Sequence, residues 1–128
     1  MITTHIDIDN NKWGILFCYN FDMLDWDDMA ALMAALGMGD GDINKSIRIL
    51  SQPNTGMAVS NDDLRMTLIF VSDATSNAQF WSTVAHELKH AQDAIIEYYG
   101  ESLNGEPAAY TMGYLMQRVV EEIAEPCY

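Results

Sequence analysis

Positive charge is scarce in this chain. Six Lys and Arg stand against 19 Asp and Glu, a formal net charge of −13. A nucleic-acid binder needs basic side chains to replace the counterions around phosphates, so no nucleic-acid partner is expected. Anionic membrane surfaces are disfavoured on the same ground. The acidity would suit a cationic peptide, but solubility is its simpler reading. Cysteine is almost missing as well. Cys18 and Cys127 are too few and too far apart for a zinc motif, and one disulfide would be an unusual staple for 128 residues. Both read as reduced thiols in a cytoplasmic setting. No apolar run approaches the roughly 20 residues of a membrane-spanning helix. Met1 to His5 carries no basic stretch leading into an apolar one, so no signal peptide is expected. Repeats and low-complexity tracts are absent. What is present is a hydrophobic fraction of 49%, enough for the core of one domain and too much for a disordered chain.

Taken in order, residues 2–8 and 12–19 read as strands around a turn at Asn10-Asn11. A helix is expected from about Asp25 to Met38, capped by Asp22 or Asp25 and stopped by Gly37 and Gly39. Gly39 to Asn44 reads as an acidic turn. It is not a calcium loop, because Lys45 and Ser51 stand where an EF-hand needs glycine and glutamate. Residues 46–51 alternate like a strand, and Met57 to Ser60 suit a return strand after the turn at Pro53 to Gly56. Leu64 to Ser72 is the strongest strand candidate, rich in branched and aromatic residues. Two helices close the chain. One spans about Ala78 to Tyr99. The other starts near Asn104 or Gly105, with Pro107 in its first turn, and runs to about Ala124 before Pro126.

The first closing helix contains His86-Glu87-Leu88-Lys89-His90, an H-E-x-x-H motif. Histidines at i and i+4 stand one above the other on a helix face. Their imidazoles can bind one Zn²⁺ while Glu87 acts as general base on a water. Trp81, Val84, Leu88, Ala91 and Ile95 form the opposite, core-facing stripe, so a plain amphipathic helix is the competing explanation. Against it, two of the three His of the chain lie in the motif. The chance of such a motif from this composition is roughly half a per cent. His5, alone near the N-terminus, reads as incidental.

A catalytic zinc site needs three protein ligands and an open position. Glu97 lies about 10 Å along the helix axis from His90 and does not suit. Glu106, which opens the second closing helix, is the preferred third ligand; Asp93, Glu101 and Glu121 remain alternatives. Asp93 also suits a partner that orients a His through its free N–H. If the two helices ran antiparallel from Tyr99, residues near Tyr114 would be level with His90. Glu106 would then lie roughly 13 Å too far along, so the first helix must end earlier, the connector must fold back or the helices must cross steeply. Ala109 and Gly113 share the face of Glu106 and would permit close approach. Ala108, Met112, Leu115, Val119 and Ile123 suit the core.

H-E-x-x-H followed on a second helix by Glu106-Pro-Ala-Ala resembles the gluzincin group of zinc metallopeptidases. The longer string Glu106-Pro-Ala-Ala-Tyr-Thr-Met-Gly-Tyr-Leu115 also resembles small phage and prophage proteins that pair the two motifs. The resemblance spans residues 65–118 at most. It implies a zincin-like fold, with His86, His90 and Glu106 on zinc, Glu87 as catalytic base and peptide as substrate. It also implies an exposed sheet edge that pairs with extended substrate, for which Leu64–Ser72 is the natural candidate. Tyr110 or Tyr114 would suit an oxyanion donor, with an ordinary packed aromatic as the alternative. The expected fold is therefore α+β: one domain with a small, mostly antiparallel sheet, an early helix and two closing helices that carry the metal. The alternatives are a zinc-stabilised binding or regulatory module without turnover and a metal-free interaction protein.

Overall fold

Trp13 to Tyr19 is apolar at nearly every position, as in a strand covered on both faces. The computed structural model describes residues 1–8, 12–100 and 105–124 and covers this strand on both sides. One sheet holds β1 (Ile2–Ile8), β2 (Trp13–Tyr19), β3 (Gly56–Asn61) and β4 (Met66–Val71), in the spatial order β1-β2-β4-β3. β1 is antiparallel to β2, and β3 is antiparallel to β4. The central pair, β2 with β4, is parallel. The chain is thus α+β with a small mixed sheet; two of its three pairings are antiparallel, in keeping with the expected mostly antiparallel sheet, and the central one is parallel. Parallel neighbours need a long crossover, and here it contains two helices and the edge strand β3.

Alternate residues of the central strands point to opposite faces. Ile15, Phe17, Ile69 and Val71 pack on one side against α3 (Asn77–Tyr98) and α4 (Glu106–Val119). Val84, Leu88, Ala91 and Ile95 come from α3, and Leu115 and Val119 from α4. Cys18, Leu68 and Phe70 pack on the other side against Met29 and Met33 of α1 (Trp26–Ala35) and Ile43 and Leu50 of α2 (Asp40–Leu50). The result is three layers, with the sheet in the middle. Burial pushes the Cys18 thiol up to about 12, against the opposing pull of the N-terminal ammonium, so it is an inert core group. No helix among the described residues is long and apolar enough to cross a membrane.

Expectations are overturned in two stretches of the chain. Residues 46–51 are not a strand; all but Ser51 belong to α2. The alternation of Ile47 and Ile49 is local, whereas Ile43, Ile47 and Leu50 follow the helical spacing over a longer window. Likewise, the acidic stretch from Gly39 starts this helix. Gly39 is its N-cap, and Asp40 and Asp42 lie in the first turn, where the helix dipole favours negative charge. Secondly, Leu64–Ser72 is not an exposed edge. Its core, β4, lies inside the sheet with five of six residues buried, and β3 is the edge beside α3. Asp22 is the cap that was expected, but on a single 3-10 turn, Met23–Asp25, that leads into α1. The Leu24 N–H donates to Asp22 Oδ1 at 2.8 Å and the Asp22 N–H to Asp25 Oδ2 at 3.0 Å. A π-helical turn, Val120–Ala124, extends α4. Asn10, Asn11, Glu101, Asn104, Pro126 and Cys127 lie outside the described residues.

The helical assignment of α2 reverses the weight of two isoleucines: Ile43, outside the expected strand, is buried on the helix, and Ile49, inside that strand, is exposed. Ile43→Ala should destabilise by about 2–4 kcal/mol in urea unfolding. Ile49→Ala, at a position 45% exposed, should cost roughly 0.5 kcal/mol or less. Equal losses at the two positions would contradict the helix.

Candidate active site

α3 begins at Ser76, whose Oγ accepts a hydrogen bond from the Gln79 N–H at 3.1 Å. Its core stripe is buried as expected, with Trp81 half-buried at its start. At 100° per residue, Glu87 falls between this stripe and the face that carries His86 and His90. The consequence is an unequal motif. Both histidines are exposed, with ring centroids 5.0 Å apart, while Glu87 is only 5% exposed.

The wall that buries Glu87 is the start of β3. A Cβ on Gly56 would lie 2.9 Å from Glu87 Cγ, 2.8 Å from Thr83 Cγ2 and 3.0 Å from the Phe70 carbonyl oxygen. Any side chain at position 56 would collide there, so only glycine lets the edge strand approach α3 so closely. Gly56 and its role were missed from sequence. The available signal was a glycine opening a strand directly after turn residues. Burial raises the carboxyl pKa of Glu87 above the usual carboxylate range, and the two neighbouring histidines partly offset this. Among the described residues none donates a hydrogen bond to this carboxylate. A cavity of about 280 Å³ opens onto Glu87 and His86, lined also by Asn54, Gln79, Ser82 and Thr83.

The base of this site is stitched together by side chains. The Thr75 N–H donates to Asn54 Oδ1 at 2.9 Å, and Asn54 Nδ2 donates to Thr75 Oγ1 at 3.1 Å. The Thr55 N–H donates to Ser72 Oγ at 2.9 Å. The connector before β3 is thereby tied to the loop before α3. Asn54 has φ of 60°, a conformation that asparagine tolerates better than most residues.

The remaining site residues are placed as follows. α3 continues to Tyr98 and ends where Gly100 takes φ of 71°, so the helix does not stop early. Gln92, buried, donates from Nε2 to the Ala108 carbonyl at 3.4 Å. The antiparallel register that set Tyr114 level with His90 would have matched Gln92 with Met112. The observed contact falls four residues earlier, about 6 Å of helix rise, which brings Glu106 nearer the level of the motif. Glu106 itself is exposed in the first turn of α4. Among the described residues, no three His, Cys, Asp or Glu side chains converge as a metal requires. The structure therefore brings together His86, Glu87 and His90, and does not bring Glu106 to them.

Asp93 pairs with Lys89 one turn back rather than with a histidine. Glu121 pairs with Arg118 at 3.5 Å. The expected close packing through Ala109 and Gly113 is not seen: Ala109 is exposed, and a Cβ on Gly113 would meet nothing within 4 Å. The helices pack instead through Ala108, Leu115 and Val119, the stripe expected to face the core. Tyr110 and Tyr114 are not packed aromatics; they are 75% and 41% exposed. His5 lies 3.5 Å from Asp7 on β1, on the sheet face away from α3.

Comparison with models of protein families, with curated proteins and with solved structures gives no match.

Two variants test this geometry. Because the folded pKa of Glu87 lies above its unfolded value, the folded state holds this proton more tightly. Stability from that proton is fully present below the unfolded carboxylate pKa and is lost as pH rises through the folded one. In chelator, Glu87→Gln should therefore be more stable than the parent at neutral pH, with the difference vanishing in acid. Urea titrations at a series of pH values read it, and a less stable variant at neutral pH would refute the burial argument. Gly56→Ala should destabilise by about 1–3 kcal/mol through overpacking against Phe70 and Glu87. A neutral effect in thermal unfolding would show that the contact is slack.

Proposed function

We propose that the chain is a zinc-dependent peptidase with a zincin-like site, in which His86 and His90 hold the metal and Glu87 is the general base. The observation that carries this reading is the unequal burial of the motif. Helix packing sets the depth of this position, and a plain amphipathic helix would fill it with an apolar residue; here it holds a carboxylate flanked by two exposed histidines. Partial burial at the mouth of a recess, with no donor among the described residues, raises the pKa of this carboxyl, and such perturbed groups cluster at functional sites.

The donor set fits a catalytic metal better than a structural one. Structural zinc is enclosed by four protein ligands, whereas a catalytic site keeps a position open. Two exposed imidazoles supply two ligands with room around them, and Glu106 in the first turn of α4 is the proposed third. Zinc, when bound, supplies Lewis-acid polarisation of a water and of a carbonyl. Glu87 takes the proton of the attacking water and delivers it to the leaving amine. Its raised pKa brings it closer to neutrality, where one group can both accept and release a proton. The free edge of β3, which replaces β4 in this role, offers main-chain hydrogen bonds to an extended peptide beside Glu87.

Metal analysis combined with two variants tests the proposal. The parent should hold close to one zinc per chain after zinc addition and cleave unstructured peptides. His86→Ala should lose the metal. Glu87→Gln should keep it and lose activity by about 10²- to 10⁴-fold. Zinc far below one per chain would sink the metal site, and full activity in Glu87→Gln would sink the role of the base.

A further inference from the structure

A second recess lies at the carboxyl ends of the parallel strands. β2 ends at Tyr19 and β4 at Val71, and both residues line a cavity of about 460 Å³. This size falls within the range of small-molecule sites. Crevices outside the carboxyl ends of neighbouring parallel strands are also where sheets flanked by helices bind ligands. None of its lining residues is shared with the recess at Glu87.

Its chemistry is aromatic and anionic. Tyr19 and Phe80 have ring centroids 6.3 Å apart, and Phe80 and Trp81 are 5.3 Å apart, both edge to face. All three rings are half-buried, so the wall keeps apolar surface open to the cavity. Asp73 is exposed and lines the same cavity. Its carbonyl accepts the Asn54 N–H, but its carboxylate pairs with no group among the described residues. No Lys, Arg or His is among the described residues that line the cavity. Asn77, in the first turn of α3, brings the positive end of that helix. That end carries about half a unit charge, and Ser76 already covers one of its N–H groups, so the full charge of Asp73 outweighs it.

We infer that this cavity binds a small organic amine, with the ammonium on Asp73 and a flat apolar body against Phe80 and Trp81. Cations favour aromatic faces, and a carboxylate beside them fixes the orientation.

Phenethylamine, phenethyl alcohol and phenylacetate are matched cationic, neutral and anionic probes. Titrated into the full chain and followed by calorimetry and tryptophan fluorescence, the amine should bind saturably. The alcohol and the acid should bind at least about tenfold more weakly, as loss of one charged hydrogen bond implies. Asp73→Asn should weaken the amine by about tenfold and leave the alcohol unchanged. Its main-chain bond persists, so the fold should be intact by circular dichroism. Absence of saturable amine binding, equal binding of the alcohol, preference for the acid, or indifference to Asp73→Asn would each overturn the inference. Glu87→Gln and added chelator should leave amine binding as it is. Loss of binding under either would place the amine at the histidine motif and overturn this site without touching the peptidase reading.

Discussion

Two neighbouring strands that are apolar on both faces must be covered twice, and most of this molecule follows from that need. β2 and β4 lie side by side in the middle of the sheet and point apolar residues both ways. Helices α3 and α4 cover one face, and α1 and α2 the other. Because the pair is parallel, the chain has to travel from the end of β2 back to the start of β4. The route supplies α1, α2 and the edge strand in one excursion. Polar groups inside this arrangement are few, and those between the strands are paired. Thr67, fully buried on β4, accepts the Trp13 indole N–H at 3.0 Å and meets Ser60 Oγ at 2.7 Å, linking three strands through side chains.

The same layering explains the motif. α3 must bury Val84, Leu88, Ala91 and Ile95 on the sheet, which fixes its rotation about its own axis. With that rotation fixed, His86 and His90 point away from the sheet. Glu87 lands at the boundary, where the edge strand closes over it at Gly56. Its depth is therefore a by-product of helix packing plus one missing Cβ.

Much of this was legible in the residues themselves. β1, β2, the core of β4 and both closing helices follow from apolar spacing, and Asp22 and Pro107 mark the starts of their elements. α2 was not legible in a six-residue window, because Ile47 and Ile49 imitate a strand until Ile43 is counted. Strand order was not legible at all. Whether β3 or β4 forms the edge depends on where the crossover returns, and no local pattern encodes that. Glu106 shows the same division. Its identity and its place at a helix start are written in the sequence. Its lateral distance from His90 depends on how α4 settles against Gln92 and the core stripe.

The side-chain stitches between Asn54 and Thr75 and between Thr55 and Ser72 have a mechanical meaning. They bind the starting ends of β3 and α3 into a common spine, and Gly56 follows at once on the β3 side. The slot that encloses Glu87 thus has two leaves bound along that spine. A fluctuation that widened it would have to tear several short polar contacts at once, not merely swing one strand. The width of the slot is therefore held by the spine as a whole, not by either leaf alone.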